Sequence, residues 1–288
     1  MHLDIKNIID EQVNGQHVKP TIDDIVPYSC LFSYDSNGKL EYTQHNLCCT
    51  PRVKELYDIL KLLNIRNTSF LFYTHDYTRD YDDNNKYVLC FAKLSDQSFI
   101  TIPNNHILNG LVDHFLNEVR LNDIDISLKI RQSIFAGGPT GGIDGARSKY
   151  IFSNLDNKNH KIFISNFPTL NIKDQLKFTF VINIDGNGPC YDRLYWQLLS
   201  NSVPVFLERN KNIIQLHDAL LIPNEHYIDC SISDWPNLFT DIDNLYNIDA
   251  IAYNGQKFIK QHFGLSAREK CIDILKYTID SISRKQNA

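Results

Sequence analysis

The segment NIDGNGPCYDRLYWQLL at 183–199 holds the residue types best placed to do chemistry. A run of β-branched and aromatic residues ends at Asp185 in a turn containing Gly186 and Gly188, where the missing Cβ atoms let backbone N–H groups approach a phosphate. The helix that follows points its N-terminal amides and positive dipole end the same way. Arg193, in the first turn of that helix, is electrostatically misplaced unless an anionic ligand sits beside it, and its planar, always charged fork suits phosphate oxygens. The same residues also read as a plain glycine turn with a surface arginine.

Two other segments carry comparable signals. The loop AGGPTGGIDG at 136–145 follows the apolar pair Ile134 and Phe135 and reads either as a second passage for a diphosphate or as a flexible connection. Neither a Gly-Lys-Ser/Thr nor a G-x-G-x-x-G pattern is present, which removes the two commonest phosphate fingerprints. The apolar run SFLFYT at 69–74 ends in His75-Asp76-Tyr77. A carboxylate at the carboxyl end of a parallel strand can accept a proton from a substrate hydroxyl, so Asp76 is a candidate base and His75 a competing one. The alternative is a solvated loop that runs on through Arg79, Asp80, Asp82 and Asp83. The triplets Asp123-Ile124-Asp125 and Asp241-Ile242-Asp243 follow no strong apolar strand and are expected to be exposed turns or helix edges rather than metal ligands. No H-E-x-x-H spacing and no G-x-S-x-G elbow occurs.

Composition narrows the possibilities. The 288 residues, 43% hydrophobic and 22% charged, suit a globular protein of roughly two domains. A net charge of −5 argues against a general nucleic-acid binder, which would carry a basic excess. Seven scattered cysteines without a C-x-x-C pair suit a reducing compartment. Asp4, Asp10 and Glu11 interrupt what would be the apolar core of a signal peptide, and no stretch is long enough to span a bilayer. A cytoplasmic location is the expectation.

Positioning these residues requires strands alternating with helices. The spacing predicts helices over 52–64 and 105–119 and strands over 69–74 and 86–93, then a composition shift and a domain boundary near 125. Beyond it, a strand at 160–166, a helix-to-strand passage at 172–185, a helix at 191–201 and a strand at 203–208 form βαβ units, which pair in parallel with right-handed crossovers. A helix over 266–288 is expected to pack back on the first half. The pattern alone implies an α/β fold of two doubly wound halves with a cleft between them.

Together these segments resemble glycosyltransferase family 90, which contains capsule-associated xylosyltransferases, protein O-glucosyltransferases and lipopolysaccharide-modifying transferases. The match lies in LFYTHDYTRDYDDNNKYVLCFAKLSDQSFITIP at 71–103, DQLKFTFVINIDGNGPCYDRLYWQLLSNSVPVFLE at 174–208 and ALLIPNEHYIDC at 219–230, and spans about residues 70–265. The middle block is the most specific. The resemblance implies two Rossmann-like domains facing across a cleft, of the GT-B type: 1–125 on the acceptor side and 126–265 for the nucleotide sugar. It implies metal-independent, inverting transfer from a UDP-sugar, with xylose or glucose as the sugar, to a hydroxyl of a glycan or lipopolysaccharide. Asp76 falls on the family's catalytic base and Arg193 on its diphosphate-binding arginine. The donor would be cradled by Gly137, Gly138, Thr140 and Gly141 in one loop and by Gly186, Gly188, Tyr191 and Arg193 in the other, with no obligatory cofactor.

Departures from the family pattern are specific. Ala136-Gly137-Gly138 stands where many members have Arg-Gly-Ser, so one cation is missing, and Arg147 is the nearby candidate to replace it. His75 stands where Arg is common and Thr78 where Pro is usual. A short version working in a bacterial or virus-infected cytoplasm fits better than a secretory one. Two rivals remain open on sequence: a nucleotide-sugar-binding protein without catalysis, and a nicotinamide-dependent oxidoreductase on a similar fold.

Overall fold

The computed structural model describes residues 4–16, 18–75, 86–141, 143–164, 170–186, 188 and 192–288. In chain order the elements are α1 (Ile5–Asn14), β1 (Ser29–Tyr34), β2 (Leu40–Gln44), α2 (Thr50–Leu60), β3 (Thr68–Tyr73), β4 (Val88–Cys90), β5 (Ala92–Leu94), β6 (Ile100–Thr101) and α3 (Asn105–Leu108). Next come α4 (Leu111–Asn122), β7 (Ile130–Gly137), α5 (Ala146–Asn154), β8 (His160–Ile164), α6 (Ile172–Gln175), β9 (Phe178–Asn183), α7 (Arg193–Leu199) and β10 (Val203–Leu207). They are followed by β11 (Ile213–Gln215), β12 (Ile228–Cys230), α8 (Trp235–Thr240), α9 (Ile242–Leu245), α10 (Ile248–His262) and α11 (Ala267–Gln286). The class is mixed α/β, as the alternating pattern implies.

The chain divides into two compact units, one of Met1–Asn109, Lys211–Leu220 and Arg268–Ala288, the other of Gly110–Asn210 and Leu221–Ala267. The first division thus falls at Gly110, not near 125. The helix expected over 105–119 is two helices, because Gly110 sits between them at φ +88°, a left-handed conformation that glycine adopts without a Cβ clash. α4 then packs against α6 and α7 of the second unit. Within the first unit, Tyr277 on α11 donates to the Asp10 carboxylate, and Gln286 donates to the Ser69 carbonyl.

The second unit is built on an all-parallel five-stranded sheet in the order β12-β10-β9-β7-β8. Its central strands are continuous apolar runs because both faces are covered, and β9 and β10 are buried almost throughout. Phe135, Tyr150, Phe180, Ile182, Val205 and Trp235 form one core cluster. Counted within this sheet, β7 is first, β8 second, β9 third, β10 fourth and β12 fifth, which gives the doubly wound order 2-1-3-4-5 in mirror listing. The winding reverses between β7 and β9. A fold of this kind binds ligands beyond the carboxyl ends of the two strands at that reversal.

The first unit departs from a purely parallel half. Its sheet runs β2-β1-β3-β4-β6, with β1 antiparallel to both β2 and β3 and the remaining pairs parallel. The antiparallel hairpin closes through Asp35-Ser36-Asn37-Gly38, where the Asp35 carboxylate accepts from the Asn37 and Lys39 amides at 2.8 Å each and Gly38 takes φ +82°. The strand expected at 86–93 is divided between β4 and β5, and β5 pairs with β11 instead of joining the larger sheet. Leu71, Tyr73, Val88, Cys90 and Phe99 form a buried cluster in this unit.

Candidate functional site

The carboxyl ends of β7 and β9 are adjacent, and a glycine-rich segment leaves each of them. β7 ends at the buried Gly137, and the loop through Gly138, Pro139, Thr140 and Gly141 is tied back by the Ser148 hydroxyl, which donates to the Pro139 carbonyl at 2.6 Å. Gly141 and Gly145 take φ +96° and +75°, so the chain turns sharply before α5 begins at Ala146. β9 runs through Ile184 and the buried Asp185 to Gly186, whose amide donates to the Gly188 carbonyl at 2.9 Å. The Asp185 carboxylate accepts from the Asn210 amide, which braces this end against the segment after β10.

Two arginines cross between these ends. Arg193 opens α7, the helix after β9, yet its guanidinium lies over the strand end of β7: a Cβ on Gly137 would come 2.9 Å from Nη2. The Phe135 ring, 5.8 Å from the guanidinium carbon, supports it from below. Arg147 stands in the first turn of α5, the helix after β7, yet reaches the segment after β9. Its Nε and Nη2 donate to the Ile184 carbonyl at 3.1 and 3.0 Å, and a Cβ on Gly186 would come 3.1 Å from Nη2. Nη1 also donates to the Thr140 carbonyl at 3.5 Å, and the Arg147 amide donates to the Gly141 carbonyl at 3.5 Å. Both side chains are half-buried, and among the described residues neither has a carboxylate partner. Two fixed positive charges that no carboxylate neutralises among the described residues, at the winding reversal of a parallel sheet, are an arrangement that can hold an anion.

The expected donor residues are therefore brought together in one place: Gly137, Gly138, Thr140 and Gly141 on one loop, Gly186, Gly188 and Arg193 on the other. Tyr191 and Asp76 lie outside the described residues. Arg147, named from sequence only as a possible replacement cation, is part of the same cluster.

Sequence reasoning passed over a pocket of about 530 Å³ in the same unit, lined by Asp144, Ala146, Lys149, Glu208, Ile232 and Ser233 among others. Glu208 directly follows β10 and takes φ +51°, a left-handed conformation that is costly for a residue with a long side chain. Its Oε1 accepts from the Ile232 amide at 3.0 Å, and its own amide donates to the Cys230 carbonyl. The signal was available, since Glu208 is the charged residue ending the apolar run VPVFL at the carboxyl edge of a parallel sheet.

In the first unit β3 ends at Tyr73 and continues through Thr74 to His75. Thr74 is pinned on every polar atom. Its amide and hydroxyl both donate to the Tyr28 carbonyl, at 2.8 and 2.9 Å; its hydroxyl accepts from the Cys49 amide, and its carbonyl accepts from Arg52 at 2.7 Å. The backbone is thereby fixed at Thr74.

The Asp-x-Asp triplets have structural roles. Asp123 accepts from the buried Lys129 ammonium and from the Asn201 amide, and Asp125 caps a short turn by accepting from Ser127. Asp243 pairs with Arg131, and Asp241 accepts from the Asn244 amide group. Among the described residues no cluster of three or more His, Cys, Asp or Glu side chains is placed to hold a metal ion. Among them, too, no helix is long and apolar enough to cross a membrane. Compared with known proteins, the chain matches no family model and no curated protein.

Proposed function

We propose that the protein is an inverting, metal-independent glycosyltransferase that moves a sugar, xylose or glucose, from a UDP-sugar to a hydroxyl of a glycan or lipopolysaccharide acceptor. On this reading the two units are the Rossmann-like halves of a GT-B enzyme, the first serving the acceptor and the second the donor. The observation that carries it is the crossing of Arg193 and Arg147 over Gly137 and Gly186 at the carboxyl ends of β7 and β9. The diphosphate of the donor fits two guanidinium groups over bare glycine backbone, and donors held in place for charge developing on a leaving group are often the largest catalytic contribution. With two arginines in that role no cation is required. The pocket beside Glu208 gives the nucleoside a place, with the carboxylate able to accept from ribose hydroxyls.

Asp76 supplies the remaining chemistry. As the acceptor oxygen attacks the anomeric carbon from the face opposite the leaving UDP, its proton must go to a base, and one carboxylate suffices for this single displacement. The test is a mass-spectrometric screen of UDP-xylose, UDP-glucose and UDP-galactose with simple glycosides, run on the wild type and on Asp76→Asn. Transfer by the wild type and its loss in the variant is the expected result. Donor binding with neither hydrolysis nor transfer would sink the enzyme reading and leave a nucleotide-sugar-binding protein.

A further inference from the structure

A pocket of about 560 Å³ opens at the amino-terminal edge of the second unit's sheet, lined among others by Asp125, Arg131, Asn201, Asp249, Tyr253 and Gln256. Arg131 stands near the start of β7, whereas Gly137 ends the same strand beneath Arg193, so strand length alone separates the two places by roughly 20 Å. Whatever binds here is not the group held by the arginines.

The polar wall of this pocket is fixed by a chain of hydrogen bonds that also settles which way its amides face. Asp123, paired with the buried Lys129 ammonium, accepts from the Asn201 amide. Asn201 Nδ2 donates to the Ile124 carbonyl at 3.0 Å, and because that carbonyl can only accept, Asn201 Oδ1 must be the acceptor on the other side. It accepts from Gln256 Nε2 at 2.7 Å. Gln256 Oε1 is thereby left as an acceptor with no partner among the described residues. Asp125 is held in the same way, since the Ser127 amide and hydroxyl both donate to its Oδ1 and lower its pKa, and Oδ2 stays uncommitted among those residues. Arg131 pairs with Asp243 and lies 5.3 Å from the Phe180 ring, and one ion pair leaves a guanidinium with donors to spare.

Tyr253 supplies the apolar element. It sits on α10 one turn from both Asp249 and Gln256, on a helix anchored by the buried Ile251, Ala252 and Phe258, yet 66% of it is exposed. An aromatic ring on a rigid helix, beside preset acceptors and donors, matches a ligand with adjacent hydroxyls and an apolar C–H face. An anion fits poorly, because Asp125 and Asp249 stand against a single lining guanidinium that is already paired. The exposure of Tyr253 leaves an occupant largely in water, unlike an enclosed small-molecule site, which suits one stretch of an extended chain.

We propose that this pocket is a carbohydrate-binding site, distinct from the arginine site, that holds a short stretch of a neutral glycan. The Tyr253 ring covers one sugar face, and Gln256 Oε1 and Asp125 Oδ2 accept from neighbouring hydroxyls. The proposal goes beyond glycosyl transfer, since holding a glycan at this edge needs no reaction at the other.

The test measures binding of xylohexaose and cellohexaose to the full chain by saturation-transfer NMR and calorimetry, beside UDP affinity and melting temperature. Tyr253→Ala is the informative variant, because the side chain is exposed and its loss leaves the fold intact. It should weaken hexasaccharide binding about ten-fold with melting temperature and UDP affinity near wild type, while Tyr253→Phe stays within about two-fold. Gln256→Leu, which removes the Oε1 acceptor, should weaken glycan binding about five-fold and leave UDP affinity unchanged. Equal binding by wild type and Tyr253→Ala, or no binding of either hexasaccharide by the wild type, overturns the site. Adenosine binding that is lost in Tyr253→Ala, in place of glycan binding, would make it a nucleoside site and overturn the proposal as well.

Discussion

Arg193 lies so close over Gly137 that no other residue type fits beneath it undisturbed: an added Cβ would stand 2.9 Å from Nη2 and 3.4 Å from Nη1. The contact joins the helix after β9 to the end of β7, and the flexible partner in it is the guanidinium. Gly137→Ala should therefore displace the arginine and leave the strand in place. The expected outcome is a melting temperature near wild type with UDP affinity lowered about ten-fold, read by calorimetry.

The two arginines should separate in their effects on stability. Arg193→Ala removes a guanidinium held by a glycine contact and the Phe135 ring, so it should weaken UDP binding with little change in unfolding. Arg147→Ala also removes donors to the Ile184 and Thr140 carbonyls. It should cost about 1–3 kcal/mol of stability as well, measured by urea denaturation.

Asp76→Ala is expected to abolish transfer with UDP affinity roughly kept. Near-normal transfer by that variant would move the role of base to His75, and the pH profile of His75→Gln would then be the measurement to make.

Gly255 on α10 packs against α7, where an added Cβ would come 2.9 Å from the backbone carbonyl of Leu198. Backbone cannot yield as a side chain does. Gly255→Ala should lower stability by about 1–3 kcal/mol, visible as a reduced melting temperature, and because α7 begins with Arg193 it should also weaken UDP binding.

Acid sensitivity should follow from His160. Burial lowers its pKa from 6.5 to about 4, and its Nδ1 lies 2.5 Å from the Ser133 hydroxyl among Tyr150, Trp235 and Phe239. The unfolded chain takes up a proton near pH 6.5 and the folded one does not until near pH 4. Stability is therefore full above pH 6.5 and is lost as pH falls through that window, by at most about 1.4 kcal/mol per pH unit for this group. Burial lowers the pKa of His226 as well and adds in the same direction. Urea midpoints between pH 7 and pH 5 should fall less steeply in His160→Asn.

Much of the second unit could be read from its residues. The run FTFVIN and the run VPVFL are continuous and apolar, which is how strands buried on both faces must look, and α7 falls where Tyr191-to-Asn201 periodicity placed it within two residues at each end. The crossing of the arginines was not readable, because Arg147 and Arg193 are far apart in sequence and meet only through the parallel pairing of β7 with β9. In the first unit the hairpin was overlooked although Asn37-Gly38 is its ordinary turn signal. The break at Gly110 was hidden by apolar spacing that continues on both sides of it, and only the left-handed glycine divides the two helices.

Because residues 211–220 and 268–288 return to the unit that contains Met1–Asn109, the order of synthesis and the order of completion differ. The unit from Gly110 to Ala267 has all its segments once residue 267 is made, whereas the amino-terminal one must wait for α11. During translation the second unit can close its core first, and the amino-terminal segment, with β3, waits for α11 to emerge, the reverse of the usual amino-terminal-first sequence.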